Sequence, residues 1–346
     1  MLQELYRFSL FGRSIPIYGY GLMMVVGFLA GAYLTKWLAR RVGLDGEAFI
    51  NAALIGLVAG VVGARLSHVL ENLGDFTRSD RTLGENLLAM VNVSSGGLTY
   101  YGGFLLAFPI LVLYGIYKKV PIRVGMDIVA IGLMVGLAFG RIGCFLNGCC
   151  YGAECSLPWK VSFPYHSYVY AGQVEKGEIQ PPPEVVQRDA DGRPILVRDP
   201  ASGQLRPVLK LPADVPRSVA KAQWSRPVHP AQLYSAFTAF LLAALLFAYF
   251  TIGYGGVTDA AKSLAGAGRG NAGGLLGGFA PGRVFAAMLM LEGLTRYLLE
   301  LLRVEPPVWR TWSLGMLQGV AMVGMGVVMW WGFGRMRGAG RAEREG

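Results

Sequence analysis

An arginine stands at the end of a long apolar run, inside a segment rich in small residues. Residues 128–139 carry no charged side chain, and Arg141 follows them after Gly140. A guanidinium near a bilayer is costly, and its planar fork of donors suits phosphate and carboxylate groups. Arg141 is therefore a candidate ligand for an anionic lipid headgroup. The alternative is an arginine at a helix end whose charged head reaches the membrane surface.

A second group of charges lies near the C-terminus. Glu292, Arg296, Glu300 and Arg303 follow one another at spacings of four, four and three, which places them on one helical face. Such a face cannot contact acyl chains, so it must face the protein interior or water. The pattern predicts a charged cavity in which Arg296 contacts an anionic substrate and Glu300 orients that arginine. The alternative is a ladder of structural ion pairs.

Four further residues could contribute to a site for an anion. Arg65 is the most deeply placed charge in its apolar run. Gly96 and Gly97 supply backbone amides and allow close approach at a helix start. Tyr101 follows them, and an interfacial aromatic is the commoner role for a tyrosine at this depth.

All four cysteines fall between residues 144 and 155. The spacing C-x4-C-C-x4-C matches no usual zinc pattern, so we expect neither a metal ion nor a cofactor. Cys144 and Cys149 are then small packing residues beside the arginine. A disulfide in an oxidising compartment and a cysteine nucleophile remain the alternatives.

The chain re-enters the apolar region through a proline-containing motif at residues 226–234. Its two prolines suit an extended approach followed by a helix start. We treat His229, Gln232 and Tyr234 as secondary candidates for headgroup contact, with an ordinary interfacial histidine as the alternative.

The elements that must position these residues are apolar helices. Of the 346 residues, 53% are hydrophobic and 16% charged, and the mean hydropathy is +0.42. We predict an all-α, polytopic membrane protein, a single domain over residues 1–346 with about seven transmembrane helices. The predicted spans are 17–38, 49–71, 98–117, 124–146, 230–252, 283–303 and 313–334.

The net charge of +10 comes from basic residues clustered at the ends of the apolar runs. This placement predicts topology and excludes nucleic acid as a partner. It puts the N-terminus outside and the C-terminus in the cytoplasm. Residues 153–229 then form an extracytoplasmic loop region, proline-rich and loosely folded in its middle, in which 194–197 could form an edge hairpin. Residues 254–282 are predicted to be a glycine-rich cytoplasmic linker.

Taken together and in order, these segments resemble the bacterial phosphatidylglycerol–prolipoprotein diacylglyceryl transferases. The resemblance covers about residues 15–158 and 226–335. The motifs that carry it are Tyr18-Gly19-Tyr20-Gly21-Leu22-Met23, Gly63-Ala64-Arg65, Gly96-Gly97-Leu98-Thr99-Tyr100-Tyr101-Gly102-Gly103, the segment 140–152, His229-Pro230-Ala231-Gln232-Leu233-Tyr234 and the triplet of Arg296, Glu300 and Arg303.

The resemblance implies transfer of the diacylglyceryl group of phosphatidylglycerol to the lipobox cysteine of a lipoprotein precursor in the bacterial inner membrane. The products would be a thioether and glycerol phosphate. It implies that Arg141 binds the lipid phosphate and that Arg296 and Glu300 are needed for catalysis. The residues expected to contribute to the phosphatidylglycerol site, besides Arg141, are Tyr20, Arg65, Gly96, Gly97, Asn147, Gly152 and Arg303.

The chain departs from the family pattern at four positions. Tyr101 stands where many members have histidine, so a phenol, or the field of the arginines alone, would have to promote loss of the thiol proton. Cys144 and Cys149 replace asparagine and glutamate, and Ser235 stands where glutamate is frequent. The rival interpretations are a transporter or channel for an anion, against which stands the absence of an internal repeat, and a non-catalytic lipid-binding homologue.

Overall fold

The computed structural model describes residues 4–10, 13–77, 82–92, 97, 99–165, 167–198, 205–211, 214–255, 279–303 and 312–345. Gly96 and most of the predicted linker 254–282 lie outside these residues. The chain opens with an antiparallel hairpin that the sequence analysis does not predict, formed by β1 (Glu4–Leu10) and β2 (Arg13–Tyr18).

Helices follow the hairpin and contain nearly all of the apolar sequence. They are α1 (Gly19–Arg41), α2 (Gly46–Glu71), α3 (Leu73–Phe76), α4 (Leu83–Val91), α5 (Tyr100–Tyr117), α6 (Ile122–Asn147), α7 (Tyr168–Glu175), α8 (Arg217–Ala222), α9 (Ala231–Tyr254), α10 (Arg283–Glu300) and α11 (Leu314–Glu345). Short strands β3 (Leu196–Arg198) and β4 (Leu205–Pro207) lie between α7 and α8.

The predicted class, an all-α polytopic membrane protein, is confirmed. Each of the seven predicted runs is helical, and five helices among the described residues are long and apolar enough to cross a bilayer: α1, α2, α6, α9 and the first part of α11. A helix of 26 residues such as α6 is about 39 Å long, more than the ~30 Å of bilayer hydrocarbon. Helix α5 is shorter and contains Pro109, so the count of seven spans stays a prediction.

The chain divides into two compact units. The first comprises residues 1–30, 133–244 and 288–328, and the second comprises residues 31–132, 245–287 and 329–346. Within the first unit α10 and α11 meet at small residues, since a Cβ on Gly293 would lie 2.6 Å from the carbonyl oxygen of Gly319. Within the second, α2 and α5 meet in the same way at Gly63 and Gly102. Larger side chains at these points would separate the helices.

A buried carboxylate at the start of α6 fixes the beginning of α10 within the second unit. Asp127 is fully buried and accepts hydrogen bonds from the Tyr254 hydroxyl at 2.8 Å and from the backbone amides of Gly282 and Phe285 at 2.7 and 2.9 Å. The first amides of a helix have no partner within the helix. Asp127 therefore supplies the acceptor that the start of α10 needs.

The region 153–229 has a core of its own, unlike the loosely folded middle that the sequence suggests. Tyr165, Tyr170, Val174, Val185 and Val215 form a buried cluster. The Tyr165 hydroxyl donates to the carbonyl oxygen of Lys210 at 2.6 Å, and burial raises the pKa of this phenol. Strands β3 and β4 pair antiparallel, which forms the hairpin considered for this segment. Buried tyrosines and valines therefore give this region a packed core in spite of its many prolines.

Candidate functional site

The first unit contains a charged cavity between α6, α9 and α10. Helix α6 contributes Arg141, the C-terminal half of α10 contributes Glu292, Arg296 and Glu300, and Arg303 follows just beyond its end. The lining residues are Arg141, Cys150, Ala231, Ser235, Glu292, Arg296, Leu299, Glu300 and Arg303. The four-residue spacing of the charges in α10 thus places them on one face, as the sequence predicts.

The two arginines predicted to bind a headgroup both line this cavity, and each has a side-chain N–H group that could bind a molecule there. Arg141 and Arg296 each have a buried Nε that has no hydrogen-bond partner among the described residues. Glu292 is buried and lies within electrostatic range of both guanidiniums. A buried donor without an acceptor is unfavourable. The cavity is therefore arranged to receive acceptor atoms from a bound molecule.

The partners of Arg296 and Glu300 differ from the expected ones. Arg296 Nη2 donates to the side-chain oxygen of Gln318 at 2.8 Å, so Gln318, on α11, orients this guanidinium. Glu300 is buried and instead accepts hydrogen bonds from Arg303 at 3.3 Å and from the hydroxyl of Ser313 at 2.8 Å. The carboxylate of Glu300 therefore pairs with Arg303, just beyond the end of α10, while Arg296 is held by Gln318.

Three thiols gather beside the cavity. The Sγ atoms of Cys144, Cys149 and Cys150 all lie within 4.8 Å of one another, and the four cysteines are free. We call these three residues the thiol cluster. Asn147, a predicted site residue, is the last residue of α6 and lies within electrostatic range of Cys149. The fourth cysteine, Cys155, is buried separately and accepts a hydrogen bond from the Leu157 amide at 3.4 Å.

Gly152 occupies a position where backbone segments meet closely. Its amide donates to the carbonyl oxygen of His229 at 3.0 Å, and a Cβ here would lie 2.7 Å from the His229 Cβ and 2.9 Å from the Leu302 carbonyl oxygen. Only glycine fits this space. Gly152 therefore joins the segment after α6 to the end of α10 and to the start of α9.

The secondary candidates at and just before the start of α9 form polar contacts with residues of the segment that follows α6. Gln232 is buried and donates to the Cys149 carbonyl oxygen at 2.7 Å. The hydroxyl of Tyr234 accepts a hydrogen bond from the Trp159 indole at 2.7 Å and lies 3.4 Å from Nδ1 of His229. These contacts favour a positioning role for all three candidates.

Tyr20, near the start of α1, also lies beside this group. A Cβ on Gly143 would stand 3.2 Å from the Tyr20 ring, and the phenol is within electrostatic range of Arg141 and the thiol cluster. Its side chain is 40% exposed, which leaves the phenol accessible to a ligand.

The remaining predicted site residues belong to the second unit. Arg65 is buried and donates to three backbone carbonyl oxygens, those of Ala89 at 2.6 Å, Met90 at 2.8 Å and Gly97 at 3.0 Å. Its donors therefore bind the C-terminal end of α4, which favours a structural role. Gly97 has φ +73, and a Cβ there would collide with the ring of His68. Tyr101 is half exposed in the first turn of α5.

Sequence reasoning missed Gln318 and Ser313. Both are neutral polar residues in or beside an apolar helix. Their roles come from hydrogen bonds to charged residues of α10, Arg296 for Gln318 and Glu300 for Ser313. The only signal available was that a glutamine within a predicted membrane span needs a partner.

The assembled geometry suits a singly or doubly charged anion. Three guanidiniums and two carboxylates line the cavity, so one positive charge is left over. Fixed guanidiniums shielded from bulk water bind phosphate through short, charge-assisted hydrogen bonds. The same groups would stabilise negative charge that develops during a reaction.

A family model matches this chain over most of its length, and individual relatives match about half of it. The family model described as prolipoprotein diacylglyceryl transferase matches residues 7–332. A phosphatidylglycerol–prolipoprotein diacylglyceryl transferase of Rhodopirellula baltica is 35% identical over 199 residues, which are 57% of this chain and 38% of that protein. A protein of the same name from Clostridium tetani is 31% identical over 159 residues, 45% of this chain and 59% of that protein.

These alignments cover between about 38% and 59% of the length of the two relatives. The family model, by contrast, extends from β1 to the middle of α11 and includes every residue of the charged cavity. Together with the apolar helices, this makes the protein a multi-pass membrane protein of a bacterial family. The chain belongs to the prolipoprotein diacylglyceryl transferase family.

Proposed function

We propose that this protein transfers the diacylglyceryl group of phosphatidylglycerol to the lipobox cysteine thiol of a lipoprotein precursor. The observation that carries the proposal is the pair of buried, unpartnered Nε donors of Arg141 and Arg296 in one cavity. A lipid phosphate offers the acceptors these donors need. The names of the relatives agree with this substrate pair.

The chemistry requires stabilisation of a leaving phosphate. The precursor sulfur forms a bond to the glyceryl carbon, the carbon–oxygen bond to phosphate breaks, and glycerol phosphate departs with an additional negative charge. Arg141 and Arg296 would bind that phosphate and stabilise the added charge. Glu300 would hold Arg303 at the edge of the same cavity. Tyr20 and Asn147 would line the headgroup site, and Tyr101, ionised to the phenolate, would accept the thiol proton.

The proposal includes an orientation in the inner membrane. We place the N-terminus outside and the C-terminus in the cytoplasm, because the basic residues flank alternate ends of the apolar runs. The folded region 153–229 then lies outside, where a precursor would arrive.

Incubation of the purified protein with phosphatidylglycerol and a lipobox peptide tests the proposal. The expected product is a peptide that carries one diacylglyceryl group on its cysteine, detected by mass spectrometry. Arg141→Ala and Arg296→Ala should each lower the rate by ~10²–10³-fold. The matched control is Arg226→Ala, because Arg226 is exposed and pairs with Glu154 in the region outside the membrane spans.

Full activity in both cavity variants would overturn the proposal. A transporter or channel for an anion is the second candidate, since it too would need buried arginines. Uptake of an anion into vesicles without any lipid turnover would favour that function instead.

A further inference from the structure

The thiol cluster has the geometry of a metal site. Its three sulfur atoms lie within 4.8 Å of one another. Two sulfurs bound to one zinc ion stand about 3.8 Å apart, because each Zn–S bond is about 2.3 Å and the geometry is tetrahedral. Small rotations of the three cysteine side chains, which are partly buried, are enough to bring their sulfur atoms to the separation found around zinc.

The backbone is shaped to bring these thiols together. Helix α6 ends at Asn147, and the next residues turn sharply, with Gly148 at φ +72 and Cys150 at φ +58. A non-glycine residue in this left-handed region carries a conformational cost, and such residues cluster at functional sites. The turn places Cys149 and Cys150 beside Cys144, although their sequence spacing matches no common zinc motif.

We propose that the thiol cluster binds one Zn²⁺ ion through three thiolates and leaves the fourth coordination position to an exogenous thiol. Three protein ligands and one open position are typical of zinc sites that act on a substrate. Loading would release three protons from the cysteines. A fourth thiol would then lose its proton to the solvent and replace a zinc-bound water.

The surroundings favour a negatively charged zinc–thiolate group. Three thiolates and Zn²⁺ carry a net charge of about −1, and Cys150 lines the cavity together with Arg141 and Arg303. Gln232 donates a hydrogen bond to the Cys149 carbonyl oxygen at 2.7 Å and so helps to fix the backbone that carries this ligand. Both features are present without the metal.

The open position gains its significance from the proposed function, on which this part of the inference rests. The transfer reaction alkylates a thiol, and the thiolate is the form of that thiol that acts as a nucleophile. A thiol bound to zinc is held as the thiolate. The cluster would thus hold the peptide sulfur as a thiolate by a route that does not use Tyr101, and an unchanged rate in Tyr101→Phe would agree with that route.

Metal binding is measured on the full chain in detergent, reduced and without a histidine tag, because imidazole binds zinc. After equilibration with Zn²⁺ and removal of free metal, we expect one zinc per chain by elemental mass spectrometry. Cys149→Ser should weaken binding more than ~100-fold, since changes to outer contacts alone cost ~10–100-fold. Cys155→Ser is the matched control, because this buried thiol lies outside the thiol cluster, and it should leave binding unchanged.

Cobalt substitution tests the open position independently of catalysis. Co²⁺ bound to thiolates absorbs in the near ultraviolet, and a lipobox peptide should increase that absorption, while the same peptide with serine in place of cysteine should not. Absence of a zinc equivalent, equal binding by Cys149→Ser, or binding of Cu⁺ but not Zn²⁺ would overturn the inference. So would an unchanged cobalt spectrum, or a disulfide within the cluster in protein isolated from membranes.

The two proposals fail separately. Lipid transfer by a chain that binds no zinc would leave the proposed function intact and reject the metal site. Zinc and peptide binding without any lipid transfer would do the reverse.

Discussion

Gln318 accepts a 2.8 Å hydrogen bond from Nη2 of Arg296, and so joins α11 to the charged face of α10. Only the planar fork of arginine can make this contact and still direct its buried Nε toward a ligand. The position of the guanidinium, and not its charge alone, is therefore set by a neutral side chain on another helix.

We expect Gln318→Leu to lower the rate of lipid transfer by about 10- to 100-fold, because small displacements of a charged group reduce catalysis strongly. The measurement is the initial rate with phosphatidylglycerol and a lipobox peptide. Gln187→Leu is the matched control, since this glutamine side chain is exposed in the region 153–229. Equal rates for both variants would contradict a role for Gln318 in positioning Arg296.

Replacing the cavity arginines with lysine separates charge from geometry. Arg141→Lys and Arg296→Lys should each retain more activity than the alanine variants but less than the parent chain, because an ammonium group lacks the bidentate fork. Arg40→Lys, at an exposed pair with Glu47, should have no effect. If lysine restores the full rate at both cavity positions, charge alone is sufficient.

Tyr101→Phe tests the phenol as a proton acceptor. We expect a loss of about 100-fold in rate, which is the lower end of the contribution of general acid–base groups. Tyr101→His should retain activity because imidazole can accept the same proton. Tyr117→Phe, at an exposed tyrosine in the same helix, serves as control. An unchanged rate in Tyr101→Phe would assign deprotonation to other groups.

Gly152→Ala should destabilise the protein by about 1–3 kcal/mol, because an added methyl group has no space between α9 and the end of α10. Its new Cβ would stand 2.7 Å from that of His229. Thermal unfolding in detergent measures the effect. A Cβ on Gly324 meets nothing within 4 Å, so Gly324→Ala should not lower the midpoint. Equal midpoints for the two variants would contradict the close approach.

Asp127→Asn should lower the free energy of unfolding by about 3 kcal/mol, because charged hydrogen bonds to buried amides are lost. The thermal midpoint is again the measurement, and Asp75→Asn, at an exposed aspartate in α3, is the control. A midpoint like that of the parent chain would show that the amides of Gly282 and Phe285 do not depend on this carboxylate.

The sequence predicts those parts of the structure that follow from periodicity. Apolar runs gave the helices, and the four-residue spacing of Glu292, Arg296 and Glu300 gave one charged face. Periodicity does not predict which side chains of different helices form hydrogen bonds with one another. Gln318 and Ser313 have roles only because α10 and α11 pack at Gly293 and Gly319.

Two other differences have local causes. Arg65 looked like an anion ligand because it is a charge in an apolar helix, yet the carbonyl oxygens of Ala89 and Met90 take up its donors. The thiol cluster depends on positive φ angles at Gly148 and Cys150, and only the glycine indicates such a turn in sequence.

The left-handed backbone at Cys150 limits what protein engineering can place there. Glycine, asparagine and aspartate tolerate this conformation, whereas valine, isoleucine and threonine would crowd the neighbouring carbonyl. Removal of this thiol with the loop conformation intact therefore requires Cys150→Gly, Cys150→Asn or Cys150→Asp.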